Sequence, residues 1–593
     1  MCGICGELRF DGGRPEAATL GRMLSKLEKR GPDHEGRFDK GRLALGHRRL
    51  SVIDLSEASN QPWVDESSGL ALVFNGAIYN YKELRRELQA RGYTFRSQGD
   101  TEVVLKAYAA WGETFAERLH GMFAIAIWDD KRQQLLLVRD RFGIKPLYYA
   151  QTRAHFRFAS NSQALLAAGD VDTGIDPVAL HHHFTLHAVV PAPRTLLRGI
   201  RKLAPGHIMI VDSEGRDRDF PYWQLDGAPA NRPETEEEWL EATRTALVTA
   251  VERRRVIADV PVGVLLSGGL DSSLLVALLA EHGGGNDLLT FSVGFEDHPD
   301  ERGDEFEFSD QVVARYGTHH HKIHVPNHEV LDRLPEAIDH MAEPMVGQDA
   351  VAFYLLSERV SEHVKVVQSG QGADEVFAGY FWYPQMHNML GSGAGRFAPF
   401  YFDRDHDEYL SMVNEKYAGP DYTSALVDER LKAAKADSYL NSVLHLDVTT
   451  LIVDDPVKRV DNMTMAWGLE ARVPFLDHEL VELVIGMPAA MKIRDNGKYP
   501  LKKIARGLIP DAVIDRPKAY FPVPALKFVR GQFLDCMRDL LNSKACRERG
   551  LYRDDYVQSV LADPEHQLTR LQGSKLWHLA ALEFWLQRNV DAL

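Results

Sequence analysis

The fold of the second half of the chain is decided by one stretch, Val264-Leu265-Leu266-Ser267-Gly268-Gly269-Leu270-Asp271-Ser272-Ser273. An apolar run over 260–266 predicts a buried strand, and residues 272–282 predict a helix that the glycines at 283–285 end. Alternating strands and helices predict a doubly wound parallel sheet, whose ligand crevice lies at the carboxyl ends of its strands. Further strands are predicted at 289–295, 323–325 and 365–368, and further helices at 236–254 and 309–316.

The loop inside this stretch predicts a phosphate site. Gly268 and Gly269 let backbone amides approach an anion, and the next helix begins with an N-terminus that favours negative charge. The hydroxyls of Ser267 and Ser272 add donors. Asp271 is a candidate Mg²⁺ ligand because Mg²⁺ prefers carboxylate oxygen. The Gly-Lys-Ser/Thr ending of the common ATPase loop is absent, so a different class of nucleotide enzyme is indicated.

A second loop, Gln368-Ser369-Gly370-Gln371-Gly372-Ala373-Asp374-Glu375, also follows an apolar strand. Asp374 and Glu375 therefore come to the same sheet edge as the first loop. They are candidates for a second metal contact or for positioning a substrate. The competing interpretation is a capped turn that enters a short helix at 375–378.

The first 220 or so residues have another pattern. Short apolar runs bounded by Gly, Asp or charged residues predict strands, and these favour an α+β sandwich over 2–220. A polar stretch with prolines at 212–233 indicates a boundary, and residues 236–593 form the second unit. The strands are predicted at 70–74, 122–128 and 134–138, helices at 17–29 and 82–91 with Asn80 as a cap, a surface loop at 391–395, and mostly helix from about 407 onward.

Cys2 is the candidate nucleophile of the first unit. If the initiator methionine is removed, residue 2 carries both a thiol and a free α-amine. The reference pKa is about 7.7–8.0 for the α-amine and about 8.5 for the thiol, so the amine can act as the base that the thiol needs.

Composition excludes several classes of protein. The 593 residues carry a net charge of −16 with scattered Lys and Arg, which argues against a nucleic-acid or anionic membrane partner. Four cysteines give no disulfide framework and indicate a reducing compartment. The start has no basic region or apolar core of a signal peptide, and no apolar run reaches the roughly 20 residues of a membrane span. These features predict a cytoplasmic protein.

Together the motifs resemble the glutamine-dependent asparagine synthetase family, a class II glutamine amidotransferase domain of the N-terminal-nucleophile fold joined to an adenylating domain. The second domain resembles the adenine nucleotide alpha hydrolase type, and Ser267–Ser273 resembles the pyrophosphate-binding loop of ATP-pyrophosphatase enzymes. The resemblance covers essentially the whole chain. The matching stretches are 1–6, 30–33, 46–51, 74–80, 99–102, 267–273, 369–375 and 464–477.

The resemblance implies the roles of the first domain. Cys2 attacks the side-chain amide of glutamine, forming a glutamyl thioester and releasing ammonia. Asn75 and the backbone amide of Gly76 form the oxyanion hole. Arg49 pairs with the glutamine α-carboxylate and Asp100 with its α-ammonium.

The resemblance also implies that ATP and Mg²⁺ serve the second domain, where a carboxylate becomes an acyl-adenylate and ammonia arrives through a water-poor passage. Asp271 and Asp374 lie on Mg²⁺ and pyrophosphate, and Lys502 stabilises the adenylate-forming or amination step. The resemblance also implies a homodimer. The implied ATP site consists of Leu266, Ser267, Gly268, Gly269, Asp271, Ser272, Val293, Ser369 and Gly370.

Two positions depart from the family pattern. Ala77 replaces the glutamate of Asn-Gly-Glu, which leaves Asp100 to carry more of the recognition of the glutamine amine. Gln371, implied with Asp374 and Glu375 to face the acceptor or intermediate, replaces a glutamate of aspartate-using members. Two acceptors therefore stay open, aspartate and a small acylated dipeptide such as N-acetylglutaminylglutamine, and the tract at 516–524 resembles the dipeptide-using subgroup.

Two other functions are alternatives for this sequence. One is a stand-alone glutaminase or amidase with a non-catalytic nucleotide-binding domain, which the intact loop at 267–273 disfavours. The other is a tRNA-modifying or regulatory binding protein, which the acidic balance disfavours. The CxxC spacing of Cys2 and Cys5 lacks a second ligand pair for zinc. The histidine runs at 181–183 and 319–321 are not expected to share a metal, because adjacent side chains point in different directions.

Overall fold

The computed structural model describes residues 1–226, 232–283, 287–297, 302–516, 524–527 and 529–592, with side chains from 526 onward in the fifth range. In the first part of the chain, two six-stranded antiparallel sheets pack face to face around a shared apolar core. The strands are β1 (Gly3–Arg9), β2 (His34–Lys40), β3 (Leu43–Arg49), β4 (Trp63–Asp65), β5 (Leu70–Ile78), β6 (Gly121–Asp129), β7 (Gln134–Arg139), β8 (Tyr148–Gln151), β9 (His155–Ala159), β10 (Arg201–Lys202), β11 (His207–Asp212) and β12 (Asp217–Pro221).

The strand orders are β10-β8-β9-β1-β3-β2 and β12-β11-β7-β6-β5-β4. The sandwich places β1 in the interior of one sheet and β5 in the interior of the other, and the start of β1 lies next to the C-terminal half of β5. The helices that cover the sandwich are α1 (Ala17–Ser25), α2 (Tyr81–Ala90), α3 (Asp100–Trp111), α4 (Ser162–Ala168) and α5 (Pro177–Thr185).

The second part is built on a parallel sheet of five strands in the order β15-β14-β13-β16-β17. Its central strands are apolar and buried, as a sheet covered by helices on both faces requires. The strands are β13 (Val262–Leu265), β14 (Leu289–Phe295), β15 (His319–Val325), β16 (Val366–Gln368) and β17 (Glu470–Arg472).

Helices surround this sheet and make up most of the chain beyond it. They are α6 (Glu236–Val256), α7 (Leu270–Glu281), α8 (Phe306–Tyr316), α9 (Asn327–Asp339), α10 (Asp349–Ser361), α11 (Ala373–Phe377), α12 (Trp382–Asn388), α13 (Gly393–Tyr401), α14 (His406–Met412), α15 (Tyr422–Ala433), α16 (Tyr439–Leu446), α17 (Lys458–Met465), α18 (His478–Ile485), α19 (Ala489–Lys492), α20 (Tyr499–Ala505), α21 (Asp511–Asp515), α22 (Pro524–Lys527), α23 (Gly531–Leu541), α24 (Lys544–Arg549), α25 (Asp554–Ala562) and α26 (Lys575–Leu586).

The predicted sandwich, the parallel sheet and the helical C-terminal region are confirmed. One helical segment has a special geometry: α16 and α17 are joined by π-helical turns at Asp447–Leu451 and Val453–Val457. Such turns widen the helix locally and are frequent at functional sites. No helix among the described residues has the length and apolarity needed to cross a membrane.

Several local predictions were wrong. The helix predicted at 17–29 ends at Ser25, and a 3₁₀ turn follows at Glu28–Arg30. The Asn80 side chain does not cap α2, because it bonds the backbone of Arg118 and His120 instead.

The other departures concern segment boundaries. The loop predicted at 391–395 becomes α13 from Gly393, where Ala394 N donates to Asp428 Oδ1 at 2.7 Å. The stretch predicted as a boundary at 212–233 begins with a β-hairpin, and its residues 227–231 lie outside the described residues. Residues 284–286 of the predicted glycine stop and residues 517–523 of the tract at 516–524 also lie outside the described residues.

Candidate functional site

Cys2 lies just before β1, where both sheets of the sandwich meet. Its backbone N donates to Asn75 Oδ1 at 2.9 Å, and its carbonyl accepts from Arg30 Nε at 3.3 Å. Burial raises the pKa of the Cys2 thiol, and the nearby Met1 ammonium opposes that shift only in part. With Met1 in place the Cys2 nitrogen is an amide, so the thiol lacks the base that a free α-amine would supply.

The predicted oxyanion residues lie on β5, opposite Cys2. Asn75 is fully buried, and its Nδ2 has no hydrogen-bond partner among the described residues. A donor held in this way is available to a developing negative oxygen. A Cβ on Gly76 would lie 2.2 Å from the carbonyl oxygen of Met122, so only glycine fits this position in the strand.

Arg49 and Asp100 complete a small cavity with Cys2 and Gly76. Arg49 Nη1 donates to Ser56 O at 2.8 Å and to Asn60 Oδ1 at 2.7 Å. These bonds fix the guanidinium against the loop that follows β3. Asp100 begins α3, and burial raises the pKa of its carboxyl to about 6 although Ile78 N donates to it. The five residues predicted for this site therefore converge at one place.

The cavity is small, and Met1 forms part of its lining. Its volume is about 30 Å³, enough for roughly one water molecule, and the Met1 side chain is fully buried. The Met1 ammonium binds Glu470 Oε2 at 2.8 Å, and Arg472 Nε binds Glu470 Oε1 at 2.5 Å. Although burial opposes it, these cations lower the pKa of Glu470 to about 2.

Sequence reasoning missed Glu470 as part of this site. Glu470 and Arg472 form β17, the edge strand of the parallel sheet in the other half of the molecule. The residue falls inside the motif at 464–477, but no local pattern relates that motif to Cys2. Only the packing of the two halves brings the carboxylate to the N-terminus.

A second cavity of about 810 Å³ opens near the carboxyl ends of β13 and β16. It brings together nearly all residues predicted for the ATP and acceptor sites. Gly268 is not on the cavity wall: its φ is +77°, and an added Cβ would lie 2.8 Å from Ser309 N. The predicted residues on the wall are Leu266, Ser267, Gly269, Asp271, Ser272, Val293, Ser369, Gly370, Gln371, Asp374, Glu375 and Lys502.

The glycine-serine loop is held by its own hydroxyl groups. Ser272 Oγ accepts from Ser267 N at 3.2 Å and lies 3.1 Å from Ser267 Oγ. Gly269 N donates to Ser267 Oγ at 3.3 Å, and α7 starts at the next residue. The loop is therefore short and closed, and it lies directly before the N-terminus of α7, a position that favours a bound phosphate.

Lys498 is the second residue that sequence reasoning missed. Its Nζ lies 2.5 Å from Asp271 Oδ2 and 2.7 Å from Asp374 Oδ1, so it joins the two loops. Burial disfavours the ammonium, but these two carboxylates hold the pKa of Lys498 well above its ordinary value.

The predicted residue, Lys502, is on the same cavity but turned to its rim, where its ammonium donates to the carbonyl of Asp495. The two lysines are four positions apart, but Lys498 precedes α20 with a left-handed φ of +54°, whereas Lys502 lies within the helix. The role assigned to Lys502 stays a prediction.

The donor set at this cavity fits Mg²⁺. Asp271 and Asp374 offer carboxylate oxygens beside the phosphate loop, and Mg²⁺ is commonly held by one or two carboxylates together with substrate phosphate oxygens. Lys498 bridges the same two carboxylates. The ion and the ammonium would therefore share this acidic pair.

Buried ion pairs lock the two halves together between the cavities. Asp461 on α17 accepts from Arg30 at 2.8 and 3.3 Å and from Lys145 at 3.0 Å. Lys202 binds Glu343 at 2.7 Å in the same region. The two sites therefore belong to one packed interface.

Comparisons with known proteins agree with this architecture. A glutamine amidotransferase domain model matches residues 1–223, and an asparagine synthase model matches residues 242–587. The chain is 31% identical to asparagine synthetase (glutamine-hydrolyzing) 1 of Bacillus subtilis (strain 168), over 100% of this chain and 97% of that protein.

Two further relatives extend the comparison. Asparagine synthetase (glutamine-hydrolyzing) 3 of the same organism is 32% identical over 88% of this chain and 87% of its own length. Amidase chyE of Penicillium rubens is 27% identical over 88% of this chain and 89% of its own length. The chain therefore belongs to the asparagine synthase family and is an amidotransferase-type ligase with an N-terminal glutamine amidotransferase domain.

Proposed function

We propose that this enzyme amidates a carboxylate acceptor with ammonia from glutamine, at the expense of ATP, giving glutamate, AMP and pyrophosphate. The observation that carries the proposal is the pairing of two complete sites across one interface. One holds Cys2 against Asn75, and the other holds Lys498 between the carboxylates of Asp271 and Asp374. We assign the glutamine step to residues 2–220 and the ATP step to residues 236–593.

In the glutamine step, removal of Met1 frees the α-amine of Cys2, which takes the thiol proton. The thiolate then attacks the amide carbon of glutamine, and Asn75 Nδ2 with the Gly76 amide holds the oxyanion. The Cys2 ammonium returns that proton to the departing amide nitrogen, which leaves as ammonia, and water then hydrolyses the thioester to glutamate and restores the thiol. Asp100 and Arg49 orient the amino-acid end of the substrate.

In the ATP step, a carboxylate oxygen of the acceptor attacks the α-phosphorus and pyrophosphate leaves. The loop at 267–273 and the Lys498 ammonium stabilise the charge that builds on the departing pyrophosphate. Asp271 and Asp374 would hold Mg²⁺, which would supply further positive charge beside the same phosphates. Ammonia then attacks the acyl carbon and AMP is released.

Aspartate is the first acceptor that we propose, because two similar proteins are named asparagine synthetases. Gln371 supports a second candidate, a small acylated dipeptide such as N-acetylglutaminylglutamine. The residue lies on the wall of the 810 Å³ cavity and presents a neutral amide where aspartate-using members are expected to have a carboxylate.

The test is an assay with ATP, Mg²⁺ and glutamine plus either aspartate or N-acetylglutaminylglutamine, with the amide product identified by mass spectrometry. Isotope exchange between ATP and pyrophosphate measures the adenylation step separately. We expect exchange and an amide product with one of the two acceptors. Glutamate release without exchange or amide, for either acceptor, would instead support a stand-alone glutaminase.

A further inference from the structure

One residue that lines the synthetase cavity comes from the glutaminase half of the chain. His187 lies two residues after the end of α5 and lines the 810 Å³ cavity together with residues of the parallel-sheet half. Its side chain is 14% exposed, so the ring is enclosed yet reachable from the cavity. No motif of the sequence had pointed to this residue.

The backbone at this point is strained. His187 has φ +52° and the next residue, Ala188, has φ +62°, both in the region that favours glycine. Ala188 N donates to His183 O at 2.8 Å, which holds the turn in place. Two consecutive strained non-glycine residues cost free energy, and such strain gathers where a side chain must be placed for function.

The imidazole is oriented by a buried carboxylate. His187 Nδ1 lies 2.9 Å from Asp403 Oδ2, and Asp403 is 2% exposed. Burial alone would lower the pKa of His187, but the charge and hydrogen bond of Asp403 raise it to about 9. At neutral pH, Nε2 therefore carries a proton. It makes no hydrogen bond within the described part of the chain, which leaves it for a ligand in the cavity.

One guanidinium and two further carboxylates also lie near the ring. Arg459 on α17 forms ion pairs with Asp455 and, at 3.1 Å, with Asp349. Asp455 lies in the second π-helical turn and lines the cavity. The titratable and charged groups that act on the His187 ring are Asp403, Asp349, Asp455, Arg459, His183 and His578.

We propose that this end of the cavity binds the acceptor, and that His187 Nε2 donates a hydrogen bond to a second carboxylate of the acceptor, one that does not react. The inference rests on the proposed function and narrows its substrate class to acceptors that carry two carboxylates. Aspartate has such a group, whereas N-acetylglutaminylglutamine has a single carboxylate. The glutaminase half would thus help to choose what the synthetase half amidates.

The first test is His187→Asn, because asparagine tolerates a left-handed backbone and lacks the imidazolium. We expect the KM for aspartate in ATP-pyrophosphate exchange to rise about 10- to 100-fold, the range for loss of a charged hydrogen bond. The KM for ATP and the rate of glutamine hydrolysis should stay unchanged. His181→Asn is the matched control, since His181 bonds Thr423 on α15 and does not line the cavity.

A second test uses pH and does not need His187 to be replaced. In the wild type, the KM for aspartate should rise only as the pH approaches about 9, where the imidazolium loses its proton. In Asp403→Asn the rise should move down toward about 6.5, the ordinary value for histidine. Thermal unfolding of each variant shows whether it is folded.

The outcomes separate this inference from the function on which it rests. If the wild type works with aspartate but neither His187→Asn nor the pH profile changes its KM, only the inference is overturned. If the wild type uses N-acetylglutaminylglutamine and neither binds nor activates a dicarboxylate, the inference again fails alone. A wild type that adenylates neither acceptor, and binds no dicarboxylate by calorimetry, overturns both.

Discussion

The proposed reactivity of Cys2 depends on the groups around it more than on the acidity of its own thiol. Burial raises the pKa of its thiol, so the thiolate has to be made during catalysis by a base within reach. Asn75 holds the Cys2 backbone and keeps a free amide donor on the same side of the cavity. In the proposed mechanism, one side chain therefore positions both the nucleophile and the oxyanion donor.

Replacement of this thiol should separate the two reactions. We expect Cys2→Ala to lower glutamine-dependent amide synthesis about 1,000-fold or more, because no other group can form the thioester. Synthesis from ammonium chloride should continue, since the parallel-sheet half is untouched. The measurement is amide formation with each nitrogen source, and equal loss with both would contradict the assignment of Cys2.

Lys498 gives the clearest comparison between sequence and structure. We expect Lys498→Ala to reduce ATP-pyrophosphate exchange about 100-fold or more, because Asp271 and Asp374 lose the cation that they share. Lys502→Ala should reduce it far less. Lys503→Ala, exposed on the same helix, is the control. A larger loss of exchange in Lys502→Ala than in Lys498→Ala would instead support the role that the family resemblance implies for Lys502.

Asp100 should make glutamine use depend on pH. Its carboxyl has a raised pKa of about 6, so it is charged above that pH and neutral below it. The KM for glutamine should therefore rise as the pH falls through about 6, because the α-ammonium loses its partner. The KM measured for ammonia as the nitrogen source, corrected for its own ionisation, is the control. A flat KM for glutamine between pH 5 and about 8 would contradict this role.

At the scale of the elements, the sequence predicted strands best where apolar residues formed a clear run. Apolar runs located the strands that became β5, β6, β7, β13 and β14. They did not predict the π-helical turns between α16 and α17, because such turns depend on packing around the cavity and not on local propensity. Asn80 shows the same limit, since its side chain finds better partners in the loop before β6 than at the start of α2.

The proposed phosphate loop contains a glycine whose backbone conformation disfavours other residues. Gly268 has a left-handed φ of +77° and contacts α8. Gly268→Ala should lower the free energy of unfolding by about 1–3 kcal/mol, because alanine is strained there. Gly269→Ala is the control for stability, since Gly269 has φ −82° and its nearest contact to an added Cβ is a serine hydroxyl at 3.3 Å. Chemical denaturation measures both, and equal stabilities would contradict the argument.

At the scale of the molecule, the halves meet through charges that are buried on both sides. The sequence could identify each domain by its own motifs, but it contained no signal for these contacts. Glu470 and His187 each serve the cavity of the other half, and residues separated by hundreds of positions cannot be paired by local pattern. The part of the site that sequence reasoning missed is therefore the part made by domain packing.

Asp461 is the place to test that packing. Asp461→Asn leaves Arg30 and Lys145 as buried cations without their carboxylate, and loss of one partner of a buried pair costs about 3–5 kcal/mol. We expect a lower thermal midpoint and more glutamate formed per amide. Lys365→Gln breaks a partly exposed pair with Asp33 and should cost about 1 kcal/mol or less. Similar midpoints for the two variants would contradict a structural role for Asp461.

The closed environment of Met1 has a consequence for how the enzyme is made. Its ammonium is fully enclosed and bound to Glu470. Removal of Met1 would break this ion pair and leave Glu470 with Arg472 as its cation. The same cleavage would open the space beside Cys2 that Met1 lines and would create the α-amine that the proposed mechanism needs. One processing step would therefore supply both the room for glutamine and the base, and we expect glutaminase activity only in chains whose N-terminal residue, identified by mass spectrometry, is Cys2.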